Sequence, residues 1–238
     1  MPAADPASRS HRAPASLIRA SIDPSGDASG WRGWYVRHGA TLVNVVVCVS
    51  LAALLVYDAR ARWLRDGFDY VQVSFVAQTV IMLVMIVVRA PQRAIDADLG
   101  HQAVALAAFS SAALFAQAPA TTSAAQHATA VAVMLAANVL GAVTILNLGR
   151  AFGILVALRR IETRGLYRVV RHPMYATDLL LRVGLVLEVT TARNVAVALA
   201  SAALYVWRAR LEERFLAHEP AYRAYLARVR WRFVPGLY

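Results

Sequence analysis

Four uncharged apolar runs, at Gly39–Tyr57, Tyr70–Val88, Gln102–Ala118 and Ala128–Gly149, set the terms for any fold this chain can adopt. Each approaches the roughly 20 residues that a helix needs to cross a bilayer. Two less regular segments follow, at Tyr175–Thr190 and Asn194–Trp207, and the first of them carries Asp178, Arg182 and Glu188. Hydropathy alone would rank that segment last. The expectation is an all-α, polytopic integral membrane protein with about six membrane segments. Composition agrees, with 59% hydrophobic and 16% charged residues against about 25% charged in an average soluble domain.

All 25 basic residues are arginine and the net charge is +11. Such a charge can mark a nucleic-acid binder. Here the arginines flank the apolar runs and form no aromatic-interleaved basic domain, so topology and anionic headgroups account for them. With both termini cytoplasmic, twenty arginines fall in the segments on the inside and four in the loops outside. This positive-inside bias places 150–174 and 208–238 in the cytoplasm and 119–127 outside, with the bacterial inner membrane as the expected location. The lone cysteine, Cys48, lies in an apolar run and fits packing or lipid contact, since one thiol makes neither an intrachain disulfide nor a multi-cysteine metal site.

Three regions are expected. Residues 1–30, rich in Ala, Pro, Ser and Asp, read as a disordered tail without the apolar h-region of a signal peptide. Residues 31–145 hold the N-terminal spans, entered through an interfacial anchor of Trp31, Trp34 and Tyr35 with Arg32 and Arg37. Residues 146–238 carry the chemistry. No internal repeat or inverted symmetry is visible, which weighs against a transporter.

In that last region Arg159, Arg160, Glu162 and Arg164 mark an aqueous-facing connector, and Gly165 permits a turn before Tyr167 and Arg168. Arg171-His172-Pro173-Met174-Tyr175 follows. Pro173 suits the first turn of a helix, whose unpaired amides and positive dipole end favour a carboxylate or phosphate. Arg171 and His172 could equally cap that helix and meet lipid phosphate. Asp178 and Arg182, spaced i, i+4 with the acid first, form either a pocket wall or, preferably, a self-neutralising pair. Glu212 and Glu213 end the sixth segment, as partners for a cation or ribose hydroxyls or as a solvated helix end. Pro220 then starts an amphipathic helix with Tyr222, Tyr225, Leu226 and Val229 on one stripe, expected to return to the cytoplasmic membrane surface and roof a site.

At these residues the chain resembles the isoprenylcysteine carboxyl methyltransferase family and the related phospholipid N-methyltransferases. The resemblance covers roughly residues 146–238. It rests on Gly165-Leu166-Tyr167, the Arg171–Tyr175 stretch, Gly184, Glu212-Glu213, Tyr222, Tyr225 and Pro235, with Leu148–Ile154 similar to the segment that precedes the motif. It implies S-adenosylmethionine as methyl donor, bound by Tyr167, Arg171, His172, Pro173, Tyr175, Glu212 and Glu213, with no metal. It also implies a lipophilic acceptor, an isoprenylcysteine-like carboxylate or another hydrophobic small molecule or lipid, entering from the bilayer. No residue is assigned as a proton-transfer catalyst: a carboxylate acceptor is already ionised, and His172 is expected to bind cofactor. Two positions depart from the family. Leu166 replaces a proline and loosens a turn; Thr177 replaces a glycine that lets the cofactor approach the backbone, and so could narrow the pocket.

Two other readings compete. A membrane NADPH-dependent sterol-type reductase uses a similar Arg-x-Pro-x-Tyr region, against which Met174 counts, because such enzymes usually have Asn there. A non-catalytic membrane scaffold is the other, motivated by Thr177. The absence of any Gly-x-Gly excludes a soluble Rossmann-type cofactor site.

Overall fold

A computed structural model of the chain describes residues 38–66, 70–90, 92–115 and 123–237. The expected tail and interfacial anchor lie outside the described residues. Seven α-helices account for nearly all the regular structure: α1 (Ala40–Asp66), α2 (Tyr70–Val88), α3 (Leu99–Ser110), α4 (Ala124–Leu148), α5 (Pro173–Glu188), α6 (Ala192–Leu216) and α7 (Pro220–Arg228). Each of the first six overlaps one of the six apolar segments, and the fold is an all-α membrane protein.

Local chemistry sets the helix ends. The Asp98 carboxylate accepts from the amides of Gly100 and His101 at the start of α3, and Ser123 and Thr191 do the same for α4 and α6. Pro173 and Pro220 occupy the first turns of α5 and α7. Gly149 ends α4 at a φ of 51°, in the left-handed region that glycine adopts without strain.

Two helical stretches, Tyr70–Val88 and Ala124–Ala151, are long and apolar enough to cross a membrane. Only 11% of the first is buried, with Val73, Phe75, Val80, Val84 and Val87 exposed. A soluble core helix would hide that face; a lipid-facing one has no need to. Cys48, half-buried, packs near Ile86 and Ile145, within the packing role expected of it. The third segment differs from expectation. Asp98 starts it at Leu99, and regular helix stops at Ser110, passing into a 3-10 turn, Ser111–Leu114. There the Arg182 guanidinium donates to Ala108 O and Ser111 Oγ, while Ser111 Oγ itself donates to Ala108 O. Side-chain donors compete at that carbonyl with the helical ladder.

The connectors group at two ends of the bundle. At one end β1 (Ala94–Ile95) pairs antiparallel with β2 (Ala157–Leu158). The Gln102 side chain reinforces the pairing, donating to Asp96 O and Val156 O and accepting from Val156 N. The C-terminal segment joins the same end through a parallel bridge between Val170 and Trp231. At the other end His127 pairs with Glu188 at 2.9 Å, Gln126 donates to Leu187 O, and Arg193 donates to Leu114 O. Segments that the arginine distribution assigns to one face therefore meet one another.

Buried charge is neutralised inside the bundle. Arg182, 1% exposed, pairs with Asp178 at 2.9 Å, and Tyr205 hydrogen-bonds the same carboxylate. This is the self-neutralising pair preferred from the spacing. Gly184 matters for space: a Cβ there would lie 2.4 Å from Met134 Cγ and 3.3 Å from the Met134 backbone nitrogen, so α4 and α5 approach through a bare backbone. Gly184→Val is expected to lose about 1–3 kcal/mol by overpacking, read as a lower unfolding temperature in detergent. Orientation has its own test. With the native thiol replaced, impermeant labelling of whole cells should mark a cysteine at Ala125 and spare one at Thr163; labelling of Thr163 alone would invert the protein.

Candidate functional site

The connector after α4 folds back into the bundle end. Phe152, Ile154, Leu155, Val156 and Leu158 are all buried, so the chain runs beneath the surface until Arg160. A tight turn at Gly165–Arg168 then directs it to α5. Gly165 has a φ of 55°, and a Cβ there would lie 2.2 Å from Asn147 Nδ2. Both facts require glycine. Leu166, in place of the family's proline, leaves this turn formed.

Between this connector, the start of α5, the end of α6 and α7 lies a cavity that opens to the surface. Tyr167, Arg171, His172, Tyr175 and Glu212 line it, as do Tyr222 and Tyr225 on α7 and the apolar Leu148, Leu155 and Met174. Most of the residues expected to bind cofactor are thus brought to one chamber. The stripe on α7 does roof it, with a correction: Tyr222 and Tyr225 are 4% and 2% exposed and pack on Ile161 and Leu216, so the stripe covers protein and not membrane surface.

The paired glutamates divide. Glu212 turns into the cavity; the Tyr175 hydroxyl donates to its Oε2 at 2.5 Å, and among the described residues no hydrogen bond is made to Oε1. Glu213 points into a clamp. Its carboxylate accepts from Arg232 Nε at 3.0 and 3.1 Å, lies 3.2 Å from His172 Nε2, and meets Arg171 Nη1 at 3.4 Å. Arg171 also donates through Nε to Val229 O and through Nη2 to Leu226 O. The amides of Arg171 and His172 donate to Trp231 O and Arg232 O. Much of the cationic and amide capacity expected for ligand at this helix start is directed at the C-terminal segment instead.

Aromatic rings fix the wall. His172 stacks on Tyr175, with centroids 5.1 Å apart and planes within 7°. Arg208, beyond the apolar part of α6, places its guanidinium carbon 4.9 Å from the centroid of the Tyr175 ring and donates to Ala105 O and Ile154 O. Outside the spans, burial pushes the phenols of Tyr167 and Tyr222 well up, with Glu212 adding to it. Both phenols stay protonated at neutral pH. Burial also raises the Glu213 carboxyl, but the hydrogen bonds from His172 and Arg232 outweigh it and hold the group at about 2.

Arg159 overturns another expectation. Read as aqueous-facing, it is 5% exposed and lines the cavity, because the run from Ile154 to Leu158 carries it inward. Its Nε and Nη2 have no hydrogen-bond partner. Burial, with Arg89 nearby, pushes the guanidinium down to about 10, while Glu212 acts in the opposite direction. It remains charged at neutral pH. Sequence reasoning gave Arg159, Arg208 and Arg232 no role; the placement of Arg159 directly after five consecutive apolar residues was the available signal.

Thr177 lies away from the cavity lining. It is 8% exposed, and its hydroxyl donates to Met174 O within α5 at 2.9 Å. The departure at this position therefore does not narrow the chamber. Asp178 is likewise outside the lining. Among the described residues no group of three His, Cys, Asp or Glu side chains could hold a metal.

The described residues form an all-α bundle with a polar chamber at one end that is also lined by apolar side chains. Residues 120–222, somewhat less than half of the chain, match the model of the phospholipid methyltransferase family. That agrees with the resemblance carried by the motifs and supports a membrane methyltransferase; it lends nothing to a reductase. No curated protein matches the chain.

The clamp yields a prediction. A carboxyl held below its ordinary value stabilises the fold fully above about pH 4.3, the unfolded value, and loses that contribution as pH falls toward 2. Glu213→Gln should cost about 1.5–3 kcal/mol at neutral pH. The gap in unfolding temperature between wild type and variant should narrow on acidification from about pH 5.

Proposed function

We propose that this protein is an S-adenosylmethionine-dependent methyltransferase that acts on a lipophilic acceptor at the cytoplasmic face of a bacterial inner membrane. The observation that carries it is the chamber in which Glu212, with one oxygen free, faces Tyr167, Tyr175 and His172 above a floor of Leu148, Leu155 and Met174. The fit to the donor is chemical. A carboxylate oxygen suits an ammonium or ribose hydroxyl, aromatic faces suit a sulfonium and an adenine, and an unpartnered guanidinium suits a carboxylate.

The donor, when bound, supplies an electrophilic methyl group. The chain's own contribution is alignment and exclusion of water. The Tyr175 hydroxyl fixes one oxygen of Glu212, and the stack of His172 on Tyr175, backed by Arg208, fixes Tyr175. The roof of Tyr222 and Tyr225 restricts solvent. The apolar floor continues into the helices, since Met174 packs among residues contributed by α2 and α4, and this favours an acceptor arriving from lipid. A carboxylate acceptor needs no proton removed, which suits a chamber whose tyrosines are held protonated. Tyr167, Arg171, His172, Pro173, Tyr175, Glu212 and Glu213 remain the proposed donor site, with Arg171, His172 and Glu213 acting chiefly by holding the wall in place.

Calorimetry of the purified protein should show binding of S-adenosylmethionine and none of NADPH. Glu212→Gln should weaken that binding by about tenfold or more with little change in unfolding temperature, whereas Glu213→Gln should lower the unfolding temperature as well. Transfer of labelled methyl to total membrane lipids and small hydrophobic acids then identifies the acceptor. A protein that binds NADPH and not the methyl donor would overturn the assignment.

A further inference from the structure

An arginine that is 5% exposed, with Nε and Nη2 unpartnered, sits in an unfavourable state on its own. A buried charge is normally paired, because desolvation without a partner is costly. The other buried arginines have partners: Arg182 has Asp178, and Arg208 has the carbonyls of Ala105 and Ile154. Among the described residues Arg159 makes no ion pair, although it shares a cavity with Glu212 and lies within its electrostatic reach. A bare backbone makes room for it, since a Cβ on Gly153 would lie 2.2 Å from Arg159 Nη1. Arg171, the cation that the motif would suggest for an anionic ligand, is engaged by Val229 O, Leu226 O and Glu213.

One cavity therefore presents an unpaired guanidinium and a carboxylate with one free oxygen, near each other but not joined. A ligand that carries both charges satisfies both groups. We propose that Arg159 and Glu212 hold an α-amino-acid zwitterion, its carboxylate on Arg159 and its ammonium on Glu212, and that this is the methionine end of the methyl donor. The inference rests on the donor assigned above and moves its carboxylate from the start of α5 to the connector. Gly153 is a positioning residue, acting through the guanidinium it accommodates. A phosphoethanolamine headgroup carries a comparable charge pair, with phosphate as the anion, and is distinguished by the test.

Full-length protein in detergent micelles is titrated calorimetrically with S-adenosylmethionine and with its decarboxylated analogue, which keeps the ammonium and sulfonium. Arg159→Gln should lower affinity for the first by about tenfold or more and leave the second unchanged. Glu212→Gln should weaken both. Arg159→Lys, which keeps the charge but not the fork, should recover part of the loss. Should Arg159→Gln fail to fold, Gly153→Ala takes its place: it retains the arginine, displaces the guanidinium, and should show the same selective loss. Unchanged affinity for S-adenosylmethionine, or an equal loss for both ligands, would overturn the inference and leave the donor assignment standing. So would a loss confined to phosphatidylethanolamine presented in mixed micelles. A wild-type protein that binds neither donor form would remove the donor assignment, and this inference with it.

Discussion

The Glu213 carboxylate joins three pieces of chain that lie far apart in sequence. Arg171 and His172 come from the start of α5, Glu213 from the end of α6, and Arg232 from the segment after α7. With the backbone bonds from Arg171 and His172 to Trp231 and Arg232, this closes one wall of the chamber. Charge-assisted bonds on a largely dehydrated carboxylate are stronger than neutral ones and directional. They also hold Tyr222 and Tyr225 where they cover the site. Glu212 is one residue along the same helix, so the clamp decides where its carboxylate points.

Arginine does three different jobs within the bundle. Arg182 neutralises Asp178 and reaches across to α3, where it draws the end of that helix into a tighter turn. Arg208 backs Tyr175 and joins α6 to α3 and the connector. Arg159 is held without a partner. A planar guanidinium with several fixed donors can bridge helices in a low-dielectric interior where an ammonium would offer a single point of charge. The same chemistry gives packing in two places and a vacant valence in the third.

The helices were legible because bilayer length and apolar continuity leave few alternatives, and the grouping of connectors followed from the arginine distribution. Tyr167, Tyr175 and Glu212, singled out through the family resemblance, all line the chamber. The division between Glu212 and Glu213 could not be read that way. Adjacent residues point about 100° apart on a helix, and which of the two faces the chamber depends on Arg232, nineteen positions away and in no recognisable motif. Arg159 escaped for a similar reason. Charged neighbours at Arg160 and Glu162 suggested water, while burial was set by β2 pairing with a strand far earlier in the chain. Thr177 looked threatening because a motif gives position but not what a side chain bonds; its hydroxyl folds back on Met174.

The pairing of Ala94–Ile95 with Ala157–Leu158 has a bearing on how such a protein can change over generations. Gln102 acts there almost as an extra peptide unit, engaging both the amide and the carbonyl of Val156. Residues before the matched segment thus share a hydrogen-bonded register with residues inside it. The N-terminal helices are not an interchangeable membrane anchor to which a catalytic module has been attached. A slip of one residue in the register would reverse which of Ala157 and Leu158 faces each side, and Arg159 would turn with them. Exposed α2 residues such as Val73 and Val87 lie outside this register, whereas a change in the short strand that follows is felt at Arg159.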